Sequence, residues 1–206
     1  EQNPISHWPI VLILFCVVLP QHLLKNYNSM NQTFLQTPSQ TVGPYFAYGL
    51  TPEQYGFDFK ALVSNELIDP LHPDAIHLVG RIFDGKGDVI PDALVELWHC
   101  DLDTKAFGRC GTGTMKDNQF RFSALKPKAN GEHAPYFSLI ISMRGQLIHS
   151  YTRVYFEDEA VANAKDPILQ LVPIERRQTL LASKIANVYT FDIYMQGPSE
   201  TVFFDI

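Results

Sequence analysis

A two-residue alternation between Ala134 and Phe156 constrains this chain more than any of its other features. Residues two apart on an extended strand share a face, so Phe137, Leu139, Ile141 and Met143 point one way while Tyr136, Ser138, Ile140 and Ser142 point the other. The first row is a core face. The second mixes polar and apolar groups, as a sheet face lining a pocket does and as a wet sheet surface does equally. Arg144 and Gly145 sit at the turn, and the chain then returns as a second strand.

The same signal recurs on both sides of this hairpin. Ile76 to Phe83 and Ala93 to Trp98 read as strands joined through Asp84-Gly85-Lys86-Gly87, with Pro91 just ahead of the second strand, where proline is tolerated. Phe120, Phe122 and Ala124 alternate with Arg121 and Ser123 as another strand, and Val188 to Met195 and Thr201 to Ile206 close the chain as two more. Cys100 to Gly113 and Lys126 to Pro135 read as loops, and Tyr55 to Asp69 shows no clear period. Glu157 to Lys165 has the profile of a short helix stopped by Pro167, and Arg176 to Lys184 fits a second. Many short strands separated by Gly and Pro predict an all-β protein, a β-sandwich of short strands with minor helices.

The chain's 206 residues, 46% of them hydrophobic, suffice for one domain with a full core. A net charge of -6 without a basic cluster argues against a nucleic-acid partner. Three cysteines, Cys16, Cys100 and Cys110, with no Cys-x-x-Cys spacing, suit a reducing compartment, and a cytoplasmic location is expected. The apolar run from Ile10 to Leu19 is too short for the roughly 20 residues a membrane helix needs, and it lacks the flanks of a secretory signal. Met30 opens a stretch resembling a natural start, so residues 1–29 are expected to be an upstream-translated extension, 30–50 an extended arm and 51–206 the sandwich.

Residue chemistry alone assigns no reaction. The seven histidines, His7, His22, His72, His77, His99, His133 and His149, form no His-x-His pair and read as surface or structural groups. Cys100 and Cys110 read as buried thiols, Trp98 as core or interface mass, and the Arg176-Arg177 pair as a solvated face. There is no Gly-x-Ser-x-Gly and no phosphate-binding glycine loop.

Longer motifs carry more. Thr37-Pro38-Ser39-Gln40-Thr41-Val42-Gly43-Pro44-Tyr45, Val95-Glu96-Leu97-Trp98, Thr152-Arg153-Val154-Tyr155-Phe156-Glu157-Asp158-Glu159, Gln196-Gly197 and Glu200-Thr201-Val202-Phe203-Phe204-Asp205 occur in one order over Phe34 to Ile206. Together with Ala162-Asn163-Ala164-Lys165 and Arg176-Arg177 they resemble the intradiol ring-cleaving dioxygenases. The resemblance implies a β-sandwich subunit of a heteromeric enzyme that cleaves protocatechuate with O2 to 3-carboxy-cis,cis-muconate, assembled with a related beta chain into a higher oligomer. It implies that ferric iron (Fe3+) is held by two tyrosines and two histidines of that beta chain, the histidines as a His-x-His pair on a strand. Those histidine positions correspond here to Tyr136 and Ser138, and Lys126-Pro127-Lys128-Ala129 lacks the family's second tyrosine. No metal ligand and no catalytic residue is therefore expected in this chain. The loop after Trp98 is shorter than in relatives, and His99 stands where they carry glutamine. What the resemblance assigns to this chain is contact with the partner's substrate: Gly43, Pro44 and Tyr45 lining the pocket, and Arg144 facing the ring carboxylate. The alternative is a non-enzymatic β-sandwich binding module, because the strand pattern by itself specifies fold and not function.

Overall fold

A computed structural model describes residues 48–100, 105–113 and 115–205. Ten strands run in chain order: β1 (Ala75–Gly80), β2 (Ile82–Phe83), β3 (Leu94–Cys100), β4 (Lys105–Gly111), β5 (Phe120–Leu125), β6 (Tyr136–Ser142), β7 (Ser150–Phe156), β8 (Leu181–Ile185), β9 (Val188–Thr190) and β10 (Ile193–Tyr194). Eight of them follow the order β4-β3-β6-β7-β8-β9-β1-β5, while β2 and β10 pair alone. Strand β8 belongs to both halves: Leu181 and Ala182 run parallel to the end of β7, and Ser183 to Ile185 run antiparallel to β9. The sheet thereby folds over on itself as a sandwich.

The core lies between the two layers. Phe137, Leu139 and Ile141 of β6 are fully buried against Val95 and Leu97 of β3, Phe120 and Phe122 of β5, and Leu78 of β1. Fully burying an aliphatic or aromatic side chain contributes about 1.5–3 kcal/mol, so this row anchors the domain. Gly80 marks the closest backbone approach: a Cβ there would stand 1.9 Å from the Phe191 carbonyl oxygen, where the chain leaves β9.

The segment with no clear period in the sequence closes the sandwich's open side. The Arg109 amide of β4 donates to Ser64 O, the Ser123 amide of β5 donates to Asn65 O, and the Leu67 amide donates to Ser123 O. Residues 64–67 thus satisfy backbone groups on both edge strands, which would otherwise be templates for pairing with another chain.

Several elements depart from expectation. β4 lies inside the stretch read as a loop; a Cβ on its Gly108 would stand 2.5 Å from a Leu67 methyl, which would have to move. Pro167 does not only end a helix: α1 (Ala160–Asn163) stops short of it, and Pro167 opens α2 (Pro167–Leu171) as the residue after its N-cap, Asp166. The stretch expected as a helix over 176–184 is a 3-10 turn over Ile174–Leu180 followed by β8. One strand expected over 188–195 is broken into β9 and β10 around Phe191 and Asp192. The last expected strand is extended but forms no ladder; Phe204 N donates to Tyr151 O and the Thr152 hydroxyl to Val202 O, tying the tail beside β7. Residues 48–50 are helical where an extended arm is expected, and 1–47, with the expected extension and most of that arm, lie outside the described residues. His77 is buried, not at the surface, with Nδ1 3.0 Å from the Ser123 hydroxyl. No helix among the described residues is long and apolar enough to cross a membrane.

Candidate functional site

The outer face of the β3-β6-β7 layer is where the expected site residues fall. Register sets Trp98 opposite Ser138 and Ser138 opposite Arg153, and the next row sets Tyr136 opposite Tyr155. Directly opposed residues point to the same side, so these groups share one face. Trp98 is therefore not core; it is half-buried on this face, with its ring 4.3 Å from that of Phe107. The Tyr155 end is roofed by a second apolar cluster, including Leu169, Val172 and Leu180.

Arg153 is the electrostatic centre of the face. Its guanidinium lies 4.2 Å from the Tyr136 ring centroid, and Nη1 donates to the Tyr155 hydroxyl over 3.4 Å. Burial alone would favour losing the proton, but the Tyr155 hydrogen bond and the Tyr136 and Tyr151 phenols outweigh it and push the pKa up, so the group is a permanent cation. The Ser138 and Tyr151 hydroxyls bond to each other at 3.0 Å. Burial pushes the Tyr155 phenol well above its ordinary range, and it donates to Asp166 at 3.0 Å.

Asp166 organises the neighbouring backbone. Fully buried, it accepts from the Ile168 and Leu169 amides at the start of α2, from the Ala134 amide before β6 and from Tyr155, with His133 Nδ1 3.3 Å away. His149 is exposed. Cys110 is buried, and that burial raises its thiol pKa, an environment that makes a thiolate unfavourable.

Arg144 lies apart from this face, in the turn beyond the far end of β6, whose last residue Ser142 is itself roughly 13 Å along the strand from Ser138. Its side chain is 67% exposed, and its guanidinium pairs with Asp92, which is 18% exposed. Gly43, Pro44 and Tyr45 lie outside the described residues. Asp92 and the pairing of Arg153 with Tyr136 and Tyr155 are not read from the sequence; long-range contacts, which local alternation does not supply, bring them together.

The outer face does not fit a ferric ion. At the two positions where the family resemblance puts imidazoles stand a phenol and a hydroxyl, and the Arg153 cation lies against that phenol. A guanidinium repels a metal cation, and neutral imidazoles have no substitute here. Among the described residues no group of three or more His, Cys, Asp or Glu is placed to hold a metal ion.

No family model matches the chain. Two curated relatives do. The alpha chain of protocatechuate 3,4-dioxygenase from Burkholderia cepacia is 48% identical over 196 residues, covering 84% of this chain and 99% of that one. The alpha chain of protocatechuate 3,4-dioxygenase from Pseudomonas putida is 37% identical over 194 residues, covering 82% and 96%. Among solved structures, the dioxygenase domain of a carbohydrate-binding fusion from Streptomyces sp. SirexAA-E covers 71% of this chain and 95% of its own at 15% identity, with a TM-score of 0.46. The intradiol ring-cleavage dioxygenase from Tetranychus urticae covers 67% and 88% at 12% identity, with a TM-score of 0.47. The fold is a β-sandwich, and on its outer face the described residues do not suit a ferric ion. With the two curated relatives, this chain belongs to the protocatechuate 3,4-dioxygenase alpha-chain family.

Proposed function

We propose that this chain is the iron-free alpha subunit of a protocatechuate 3,4-dioxygenase, which with a beta partner converts protocatechuate and O2 to 3-carboxy-cis,cis-muconate in the cytoplasmic catabolism of aromatic compounds (the β-ketoadipate pathway). The observation that carries this reading is 48% identity to a curated alpha chain, over 99% of that chain and 84% of this one. The iron belongs to the beta chain, where it supplies the means of activating a bound catechol toward oxygen. The work of this chain is to complete the substrate pocket and to build the αβ oligomer.

Within that pocket Arg144 supplies positive charge to the ring carboxylate, and Gly43, Pro44 and Tyr45 line the wall beside it. The position of Arg144 supports the assignment: it stands on an exposed turn, within reach of another chain, and its charge is partnered by Asp92 alone among the described carboxylates. A bidentate carboxylate would share or displace that partner. Leu147 and Ile148, 63% and 80% exposed on the same loop, give the turn an apolar flank suited to burial against the partner. Oxygen uptake in the presence of protocatechuate, measured on the chain alone and after co-expression with the beta chain, tests the reading. Uptake in the mixture only is expected; uptake by the isolated chain, or none in a mixture where both chains are folded, would reject it.

A further inference from the structure

The direction of the Arg144 side chain is set by a residue 52 positions away in the chain. The Gln146 amide donates to Met143 O across a turn whose central residues are Arg144 and Gly145, and Gly145 takes a φ of +88°. That turn places the Arg144 backbone but not its long, exposed side chain. The side chain is anchored by Asp92: Nε donates to Oδ2, and Nη2 stands against the same oxygen. One edge of the fork is thereby spent on the protein. The Nη1/Nη2 end is left as the edge through which the guanidinium can take a second carboxylate by two bonds.

An anchor positions its partner only if it is itself held. Asp92 lies in the turn ahead of β3, and Thr112, fully buried just after β4, clamps that turn on both sides. The Thr112 hydroxyl donates to Ile90 O at 2.9 Å and accepts from the Ala93 amide at 3.1 Å, while the Thr112 amide donates to Ala93 O at 2.9 Å. At the next residue the two segments touch: a Cβ on Gly113 would stand 2.3 Å from the Pro91 carbonyl oxygen. Burial, and after it the Tyr48 and Asp92 neighbours, push the Tyr55 phenol above its ordinary range, so this neighbour of Asp92 is neutral. Among the described residues Arg144 is the one cation paired with Asp92, whose side chain is 18% exposed against 67% for Arg144. The carboxylate is the held partner and the guanidinium the reaching one.

We infer that Asp92 is a positioning residue, which holds the Arg144 guanidinium by one edge so that its Nη1/Nη2 end is presented to the ring carboxylate before substrate arrives. The inference rests on the role proposed for Arg144. Fixing a long side chain in advance removes an entropy cost that binding would otherwise bear. The negative charge of Asp92 acts in the opposite sense, but the guanidinium lies between the two carboxylates and water at this exposed turn screens their repulsion. Loss of Asp92 therefore weakens substrate binding and does not free a stronger cation.

Steady-state kinetics of the complex with the beta chain test this. Asp92→Ala should raise the KM for protocatechuate about threefold, the effect of releasing one immobilised side chain, with kcat and iron content close to the wild type. Asp92→Asn, which keeps an acceptor oxygen without the charge, should raise it by less. In an Arg144→Ala background Asp92→Ala should add nothing, because a positioning residue has no effect without the group it positions, whereas a merely structural contribution would raise KM in both backgrounds. A KM unchanged or lowered by Asp92→Ala, where Arg144→Ala raises it, would overturn the role of Asp92 and leave that of Arg144 standing. So would an equal rise in both backgrounds. An unchanged KM in Arg144→Ala would instead overturn the role of Arg144 and this inference with it. If Asp92→Ala does not assemble, Asp92→Asn carries the same comparison: a rise confined to the chain that keeps Arg144 is expected, and no rise would overturn the inference.

Discussion

Asp166 shows how one buried side chain can hold three elements at once. Its carboxylate caps α2 through the Ile168 and Leu169 amides, holds the entry to β6 through the Ala134 amide, and accepts a hydrogen bond from the Tyr155 hydroxyl of β7. Asp166→Asn replaces one accepting oxygen by a donor that faces donors, so urea unfolding should show a loss of about 2–3 kcal/mol; an unchanged midpoint would mean the contacts are dispensable. Asp158 governs a pH dependence of stability. Burial works against its ionisation, but hydrogen bonds from Lys184, Lys126 and Tyr189 outweigh that and hold its carboxyl at about 2, below the ordinary 3.8. A depressed folded-state pKa stabilises the fold above the unfolded value, so this contribution is complete above pH 3.8 and is lost as pH falls through 2. Its size is about 1–2 kcal/mol once exposure is allowed for. Acid unfolding of Asp158→Asn should accordingly be flatter between those two pH values than that of the wild type, and parallel curves would refute the linkage.

At the scale of elements, what the sequence made legible was whatever depended on local period. The alternation of β6 put Phe137, Leu139 and Ile141 on the core face, where all three are fully buried, and left Tyr136 and Ser138 on the mixed face. What it hid depended on distant neighbours. Glycines give β4 the look of a loop, yet at Gly108 the Leu67 side chain packs into the space a Cβ would take. β8 has a helical profile locally, and its strand character comes from joining β7 to β9, a contact no local pattern announces. The tail from Thr201 has a strand-like sequence, but it lies beside β7 with single bonds only. Gly80 belongs to the same class of long-range demand. Gly80→Ala would drive a methyl into the Phe191 carbonyl, so β1 and the chain after β9 must separate. A loss of about 2–4 kcal/mol in thermal or urea unfolding is expected, the range for overpacking a tight site; wild-type stability would show that the joint can widen freely.

For the whole molecule, the family motifs point to a β-sandwich of the intradiol dioxygenases, and the relatives at 48% and 37% identity place the chain in the alpha-chain family of protocatechuate 3,4-dioxygenase. The roles of single residues are less legible, because the site proposed for Arg144 draws on a second chain and only this chain's half of its chemistry is written in its sequence. Arg144 is the residue on which the shared site can be tested from this side. It contributes no metal ligand, so its replacement separates substrate binding from iron content. In the complex with the beta chain, Arg144→Ala should raise the KM for protocatechuate by about tenfold, the low end for a charge-assisted contact because the group is 67% exposed. The iron content per complex and kcat should stay close to the wild type. An unchanged KM with the complex intact would contradict the claim that this chain reaches into its partner's site.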